Sequence, residues 1–404
     1  MISPARRAAY EVLLRVFEQD AYADRAFRTA AEGLDERERA FAQRLAYGSV
    51  QRVRTLDHAI ETLGRRPVRK LDPPVRAALR LGAYQLGYTD TAPHAAANES
   101  VELVRRARLE RAVPFTNAVM RRLAGGIGPL LDSLPDGPLK ESYPDWIYET
   151  FVRVLGEEGA IALMRAMNEP LETAVRLVRG EPPEGAEETD VPAAYRVDRV
   201  DEALVAEGRI WPQSRGSQLA GICVGSHDGE RVLDLCAAPG GKTGQLRGDV
   251  TAVEIDPARA RELRENLATM GRADVTVVEA DGTALPPELD GFDRALVDAP
   301  CSGLGVLAQR PDLRWRATPL PDLQLALLHS AAERVCPAGS VVYSVCTLNP
   351  DECEAVVDAS GLEVLPLGEE WPGFSHPTRP EFLLTLPHVH GTSGFFVARL
   401  RSPG

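Results

Sequence analysis

The second half of the chain contains a series of short apolar runs separated by turns. The runs span residues 231–235, 251–254, 275–278, 292–297 and 341–343. Runs this short and this apolar are typical of parallel strands that are buried on both faces of a sheet. They predict an α/β fold with an open sheet, in which ligands bind at the edge where the strands end.

The first run leads into a glycine-rich turn, Cys236-Ala237-Ala238-Pro239-Gly240-Gly241-Lys242-Thr243. A strand, a glycine-rich turn and a helix start favour a nucleotide-like ligand. The glycines allow the backbone to approach the ligand closely, and the helix start offers free N–H groups. The spacing of the glycines does not match a Walker loop. The turn is therefore a candidate binding loop, but by itself it is a weak signal.

Acidic residues follow several of these strands. Glu254 ends the second strand, 18 residues after Cys236, where a carboxylate suits hydrogen bonds to ribose hydroxyls. Asp256 is better placed to cap a helix over 257–267. Asp281 follows the third strand and is either a ligand-binding acid or a turn residue before a glycine. Asp298, which ends the fourth strand, is expected near the ligand or the substrate.

Two cysteines lie just beyond the ends of predicted strands. Cys301 belongs to the loop Asp298-Ala299-Pro300-Cys301-Ser302-Gly303, and Cys346 follows the strand 341–343. A cysteine on such a loop is a candidate nucleophile or acid, although a lone cysteine there is more often a small buried apolar residue. We predict that the two loops are neighbours. The other four cysteines are assigned to packing or backbone roles, and without a Cys-x-x-Cys pair a zinc site is not expected.

Length, composition and charge bound the remaining possibilities. The 404 residues suffice for two or three domains, six cysteines do not form a disulfide scaffold, and no apolar run approaches a membrane span of ~20 residues. A cytoplasmic protein without a signal peptide is expected. The net charge is −13, yet residues 1–130 carry 22 Lys and Arg against 15 Asp and Glu. This basic front predicts either a phosphate-binding surface or a solvated helical face.

The N-terminal region has helical periodicity from residue 5 to 125. Asp35 is a predicted N-cap, with Glu38 at the capping-box position. Glycine and proline signals over 124–140 predict a linker, a further helical stretch follows to about 167, and 181–189 is expected to be an exposed loop. The basic segment 310–315 is a candidate contact for an RNA backbone, with Trp315 packing.

Several strings resemble a known family. Arg39-Ala40-Phe41, Leu45-Ala46-Tyr47-Gly48, residues 79–86 and residues 117–122 look like the NusB-like RNA-binding domain of bacterial 16S rRNA (cytosine-5) methyltransferases of the RsmB (Sun/Fmu) type. Residues 235–243 are similar to the S-adenosylmethionine motif of RNA cytosine-5 methyltransferases. The resemblance implies a NusB-like helical domain over 1–128, a linker and mixed extension over 129–215, and a Rossmann-like methyltransferase domain over 216–404.

The resemblance also implies roles for individual residues. Cys346 would attack the cytosine, Cys301 would assist product release, and Asp298 would bind the N3/N4 edge of the base. S-adenosylmethionine would be held by the following residues: Cys236, Ala237, Ala238, Pro239, Gly240, Gly241, Lys242, Glu254, Asp281 and Asp298. Lys242 would also supply positive charge near a thiol. The expected partner is 16S rRNA, and a monomer with neither metal nor membrane attachment is expected.

The sequence departs from the family pattern at a few positions. Ser214 stands where the family usually has Asp, Val178 where it has Asn, and Val345 where it has Thr. The stretch from 241 to 251 is short, which predicts a stubby first helix. The alternatives are a tRNA cytosine-5 methyltransferase, an RNA-binding assembly factor without catalysis, and a DNA cytosine methyltransferase with its nucleophile at Cys301.

Overall fold

The computed structural model describes residues 2–401 and divides the chain into two compact units. Unit 1 contains the chain up to Asn168 together with the segment Leu307–Arg316. Unit 2 contains Glu169–Val306 and the chain from Ala317 onward. Among residues 2–401, no helix is both long enough and apolar enough to cross a membrane.

Unit 1 is helical, as the periodicity predicts. Its helices are α1 Pro4–Glu18, α2 Ala23–Ala30, α3 Glu36–Gln51, α4 Val53–Gly64, α5 Pro73–Tyr88, α6 Pro93–Arg106, α7 Val113–Ser133, α8 Pro138–Glu141, α9 Asp145–Ala166 and, from the inserted segment, α13 Leu313–Arg316. One apolar cluster joins the first seven of these helices. Asp35 caps α3 as predicted, by accepting from the Glu38 N–H. The Glu38 carboxylate does not return to the cap; it accepts from the Ala5 N–H at 2.9 Å.

The predicted linker at 124–140 is wrong for its first ten residues, because α7 continues to Ser133 through three glycines and Pro129. Its buried residues, Thr116, Val119, Met120, Leu123 and Ile127, form one stripe that extends past the first two glycines. Gly126 packs so closely that a Cβ there would lie 3.1 Å from the Leu63 side chain. The burial of one continuous face thus outweighs the local helix-breaking signals.

Unit 2 begins with a small antiparallel sheet. Its strands are β1 Ala174–Leu177, β2 Glu187–Glu188, β3 Ala194–Arg196 and β4 Ile210–Pro212, in the order β2-β3-β1-β4. The expected exposed loop 181–189 therefore contains the short edge strand β2, whose two residues are exposed. Helices α10 Glu202–Ala206 and α11 Arg215–Cys223 lead on to the larger sheet.

The larger sheet confirms the predicted Rossmann-like fold. Its strands are β5 Arg231–Leu235, β6 Asp249–Glu254, β7 Thr276–Glu279, β8 Phe292–Asp298, β9 Val335–Val345, β10 Glu363–Leu365, β11 Leu383–Thr385 and β12 Phe395–Arg401. The order is β10-β12-β9-β8-β5-β6-β7, with β11 beside β12. The five strands β5 to β9 are parallel, as predicted, and β12 pairs antiparallel with β9.

The order of the strands reverses at β5, which lies between β6 and β8. The chain moves outward through β6 and β7 and then returns to β8 on the other side, so the loops after β5 and β8 diverge there. This switch point is where open α/β sheets bind ligands. The helices of this part are α12 Pro257–Thr269, α14 Pro321–Arg334, α15 Glu354–Ser360 and α16 Pro387–His390. The stubby first helix is reduced to one 3-10 turn, Thr243–Gln245.

Candidate active site

The loop after β5 is fixed by contacts from several other elements. Cys236 has a φ of +61° and Gly240 a φ of +103°. A side chain on Gly240 would be strained at that φ, and its Cβ would lie 2.8 Å from Leu263. Arg259 donates to the Ala238 carbonyl at 2.7 Å, and Asn266 donates to the Pro239 carbonyl at 2.8 Å. Contacts within the protein therefore fix the shape of the loop.

A cavity of about 240 Å³ opens beside this loop. Of the residues that the sequence singled out, it is lined by Ala237, Ala238, Pro239, Gly241, Lys242, Asp298 and also Ser214. Cys236, Gly240, Glu254, Asp281 and both active-site cysteine candidates are not in its lining. Trp211, Gln213, Ser217, Asp234, Val306 and Phe395 line it as well, and sequence reasoning had not selected them.

Asp234, within β5, is a buried acid at the base of this cavity. It is 1% exposed and accepts a hydrogen bond from the Thr243 hydroxyl at 2.7 Å. Its second oxygen, Oδ1, accepts no hydrogen bond from any residue in 2–401. Burial is the main cause that raises the pKa of Asp234 to about 7. Asp234 lines the cavity, and its Oδ1 is available to accept a hydrogen bond from a polar group of a ligand.

Glu254 and Asp281 follow adjacent strands, β6 and β7, as predicted. Glu254 is 2% exposed; its Oε1 accepts from the Asp256 N–H at 3.1 Å. Its Oε2 accepts no hydrogen bond within the described chain, although an Arg259 nitrogen lies 3.5 Å away. Ile255, which directly follows Glu254 in the sequence, has an apolar side chain that is 64% exposed. A buried free acceptor beside an exposed apolar surface fits a nucleoside better than it fits bulk water.

Asp281 is exposed and accepts from both the N–H and the hydroxyl of Thr283, at 2.9 and 2.7 Å. The hydrogen bond from the Thr283 N–H, followed by the one from its hydroxyl, lowers the pKa of Asp281. The side chain thus makes the turn that one interpretation of the sequence expected. Both hydrogen bonds use one carboxylate oxygen, Oδ1, and a role of Asp281 in ligand binding stays a prediction. Asp256 caps α12 through the N–H groups of Ala258 and Arg259.

The two candidate cysteines meet, as predicted from their positions after neighbouring strands. Strands β8 and β9 pair in parallel, and the sulfur atoms of Cys301 and Cys346 are 3.5 Å apart. The two loops are also joined by the backbone, since the Gly305 N–H donates to the Cys346 carbonyl at 3.0 Å. Two thiols this close share one hydrogen bond, so their ionisation is linked.

The shared hydrogen bond makes the two thiols chemically different. Donation from Cys301 lowers the pKa of Cys346, because it stabilises a Cys346 thiolate. For Cys301 the same hydrogen bond raises the pKa well above its usual value, and burial adds to the effect. Of the two thiols, Cys346 therefore ionises more readily, and Cys301 is the one that keeps its proton to higher pH.

Lys242 and Asp298 form an ion pair at the same strand edge. The Lys242 Nζ lies 2.8 Å from Asp298 Oδ2 and 4.7 Å from the centre of the Phe395 ring. The Ser344 hydroxyl donates to Asp298 Oδ1 at 2.7 Å. The Lys242 charge lowers the pKa of Cys346, whereas the Asp298 charge opposes it. Lys242 therefore supplies positive charge near a thiol, as predicted.

Two of the positions at which the sequence departs from the family pattern, Ser214 and Val178, make local hydrogen bonds. Ser214 caps α11, since its hydroxyl accepts from the Ser217 N–H. Val178 contributes its backbone, donating to the Arg209 carbonyl at 2.8 Å. Beside these positions, the buried Arg176 donates to Gln213 at 3.1 Å and towards the Gly241 carbonyl at 3.4 Å, which connects the small sheet to the binding loop.

The prediction that segment 310–315 contacts an RNA backbone is wrong for Arg314. This side chain is 1% exposed and belongs to unit 1. Its guanidinium lies 3.9 Å from the Tyr143 ring and donates to the backbone carbonyls of Gln51, Ser142 and Met167. Trp315 packs as expected, with its indole N–H donating to the Val50 carbonyl at 2.7 Å. A short charged segment had suggested exposure that the packing does not provide.

Comparisons with known proteins were made on the whole chain. Residues 222–401 match the family described as "16S rRNA methyltransferase RsmB/F", and residues 3–125 match the NusB family. A Synechocystis protein named "Probable ribosomal RNA small subunit methyltransferase B" is 32% identical over 99% of this chain and 100% of its own length. Ribosomal RNA small subunit methyltransferase B of Salmonella paratyphi B is 28% identical over 91% of this chain and 96% of its own.

Solved structures give the same picture of the fold. The crystal structure of PH0851 superimposes with a TM-score of 0.81, covering 99% of each chain at 24% sequence identity. At that identity the similarity establishes the fold alone. The architecture of a helical N-terminal part followed by an α/β sheet is thus shared along nearly the whole length.

Proposed function

This chain belongs to the RsmB/F family of 16S rRNA methyltransferases, and from that premise we propose that it methylates C5 of a cytosine in small-subunit rRNA through a covalent cysteine adduct. The observation that carries the proposal is the pair of sulfur atoms 3.5 Å apart at the ends of β8 and β9. Binding of RNA or of a cofactor alone needs neither thiol, whereas C5 methylation of cytosine needs a nucleophile and a means to expel it.

The first step follows from the poor nucleophilicity of cytosine C5. The Cys346 thiolate adds to C6, which breaks the C5–C6 double bond and makes C5 nucleophilic. The Cys301 hydrogen bond and the Lys242 charge favour the thiolate form that this step requires. S-adenosylmethionine, when bound, supplies the electrophilic methyl group that C5 takes up.

The last step releases the product. A water molecule acts as the base that takes the C5 proton, and the C5–C6 double bond re-forms as the bond between C6 and the Cys346 sulfur breaks. Cys301, which keeps its proton, donates to the departing thiolate and so stabilises the leaving group. Asp298 is held by Lys242 and Ser344 at the same edge, and its carboxylate would accept from the amino group of the cytosine.

The cofactor assignment rests on the fit of the residues to its chemistry. The free Oε2 of Glu254 suits a ribose hydroxyl, and the exposed Ile255 gives an apolar surface for an adenine ring. The free Oδ1 of Asp234 and the carboxylate of Asp298 suit the ammonium end of the amino-acid moiety. The loop 236–242 would hold that moiety with its backbone.

The RNA substrate is proposed from the family and from charge. The relatives are named for ribosomal RNA of the small subunit, and the N-terminal 130 residues carry more basic than acidic side chains. A base inside a helix cannot reach two half-buried thiols, so an unpaired or extruded cytosine is expected.

The test is incubation of the protein with methyl-labelled S-adenosylmethionine and unmodified 16S rRNA, with tRNA in parallel and Cys346→Ala beside the wild type. Label recovered as 5-methylcytosine in 16S rRNA, and absent with Cys346→Ala, is the expected result. If the label appeared only in tRNA, the proposed substrate would be wrong and the proposed chemistry would stand. A wild-type protein that binds the cofactor and transfers no label would overturn the proposal in favour of an assembly factor.

A further inference from the structure

Glu352 is a fully buried acid that lies outside the ligand cavity. Its relative exposure is 0%, and it stands between the end of β9 and the start of α15. The groups that donate hydrogen bonds to its carboxylate are all neutral. A buried carboxylate without a counter-ion is costly unless other groups solvate it, so its partners indicate why it is there.

One carboxylate oxygen accepts three hydrogen bonds from two loops and a helix. Glu352 Oε1 accepts from the Ser302 N–H at 2.9 Å and from the Leu320 N–H at 3.1 Å. It also accepts from the Gln324 side-chain amide at 3.0 Å. That same amide donates to the Pro300 carbonyl at 2.8 Å. The Cys301 loop is thereby tied on both sides of its thiol to this cluster.

The other oxygen reaches both cysteine loops. Glu352 Oε2 accepts from the Ser302 hydroxyl in a short hydrogen bond, from the Thr347 hydroxyl at 3.4 Å and from the Asn349 amide at 3.3 Å. The Ser302 and Thr347 hydroxyls are themselves 2.8 Å apart. Ser302 directly follows Cys301 and Thr347 directly follows Cys346, so a single carboxylate holds the neighbours of both thiols.

The partners explain why a carboxylate occupies this position. All six groups donate, and only an ionised carboxylate accepts at both oxygens. An amide would turn an NH₂ group towards three of these donors. The negative charge also opposes ionisation of Cys301 and raises the pKa of that thiol. The six donors favour an ionised Glu352, and the charge of Glu352 in turn favours a Cys301 that keeps its proton.

We propose that Glu352 is a positioning residue that holds the Cys301 and Cys346 loops in register and so preserves the hydrogen bond between the two thiols. The inference rests on the proposed function for its meaning in catalysis. Glu352 touches neither sulfur by hydrogen bond, and it acts through Ser302 and Thr347.

The test compares Glu352→Gln with the wild type by two readouts. The first is the pH dependence of iodoacetamide alkylation, resolved by mass spectrometry for the Cys301 and Cys346 peptides, which requires no RNA. The midpoint for Cys346 is expected to rise by about one pH unit and the midpoint for Cys301 to fall. The second is methyl transfer, in which kcat is expected to fall about 100-fold with the KM for S-adenosylmethionine unchanged.

Glu172→Gln is the matched control. Glu172 is also a buried acid of unit 2, with a side chain 6% exposed, but it pairs with Arg215 and Arg196, away from both cysteines. The Glu172→Gln substitution is expected to lower the melting temperature of the protein and to leave the alkylation midpoints of Cys301 and Cys346 at their wild-type values. A folded Glu352→Gln protein with wild-type midpoints would overturn the proposal.

Ser302→Ala keeps the inference testable if Glu352→Gln does not fold. It removes one hydroxyl donor and retains the backbone donor, so the same changes are expected at about one-tenth of the kinetic effect. Unchanged midpoints in that variant would contradict the proposed role. If wild-type protein methylates no RNA, the proposed function fails, and alkylation still decides whether Glu352 sets the state of the thiols.

Discussion

Arg314 in unit 1 and Glu352 in unit 2 are buried ions of opposite sign, and each is held by neutral groups. Arg314 donates to three backbone carbonyls, of Gln51, Ser142 and Met167, at the C-terminal ends of α3, α8 and α9. Glu352 accepts from N–H, hydroxyl and amide groups on the two cysteine loops and at the start of α14. Helix C-termini present unpaired carbonyls and the loops present donors, so the sign of each charge matches the backbone around it.

The difference between the two clusters lies in what they hold. The partners of Arg314 are helix ends and the Tyr143 ring, none of them reactive. The partners of Glu352 include Ser302 and Thr347, each of which directly follows a thiol. One physical arrangement, a buried charge solvated by neutral groups, is therefore expected to serve stability in the helical unit and reactivity in the sheet unit. Substitutions can separate these two outcomes.

The largest expected effect is the loss of the thiol itself. Cys346→Ala removes the proposed nucleophile, and methyl transfer to 16S rRNA should fall by ~10⁴-fold or more with little change in melting temperature. Single-turnover transfer of labelled methyl groups measures the loss. Activity within tenfold of the wild type would show that the sheet unit does not work through Cys346, and the contrast with Arg314 would lose its basis.

Asp234 sharpens the comparison, because it is a buried acid of the same unit with one side-chain donor, Thr243, where Glu352 has several. Burial raises the pKa of Asp234 to about 7 in the folded protein, against about 3.9 in the unfolded chain. The folded state thus binds the proton more tightly, and stability falls as pH rises from about 4 to 7.

Asp234→Asn removes that loss. The variant should be more stable than wild type at pH 8, by up to about 4 kcal/mol, and similar to wild type at pH 4. Urea unfolding at the two pH values measures the difference. If Asp234→Asn changed the free energy of unfolding equally at pH 4 and pH 8, the pKa of Asp234 would be the same in the folded and unfolded protein. The hydrogen bond from Thr243 would then be enough to offset the burial of the carboxylate.

Arg314→Ala tests the structural half of the comparison. It leaves three carbonyls and the face of Tyr143 without their partner, so unfolding should become easier by about 3 kcal/mol. Thermal unfolding followed by circular dichroism reports the change. The alkylation midpoint of Cys346 should stay at its wild-type value; a displaced midpoint would show that Arg314 is not confined to stability.

The smallest effect is expected from Cys301→Ala. Cys346 then loses the hydrogen bond that lowers its pKa, so its thiolate should form only at higher pH. At pH 7.5, alkylation of Cys346 should slow by about tenfold and recover as the pH approaches 9. Rates that match the wild type across this range would mean that Lys242, and not Cys301, is the main support of the thiolate.

Much of the sheet unit could be predicted from local sequence. Short apolar runs fixed the parallel strands, and the residues that end them, among them Glu254, Asp298 and the two cysteines, were correctly placed at one edge. The same local signals misled where packing opposed them. Glycines and Pro129 predicted a linker, but the buried stripe from Thr116 to Ile127 kept α7 helical.

The sequence by itself determined which residues end the strands, because strand length, apolar pattern and turn chemistry are properties of neighbouring residues. Only the tertiary structure decided that Arg314 is buried, that Asp234 has one free oxygen, and that Glu352 joins the two cysteine loops. Ser302 and Glu352 are 50 positions apart along the chain, and Gln51 and Arg314 are 263 positions apart. Burial and hydrogen bonding over such separations depend on the completed packing, which no local pattern records.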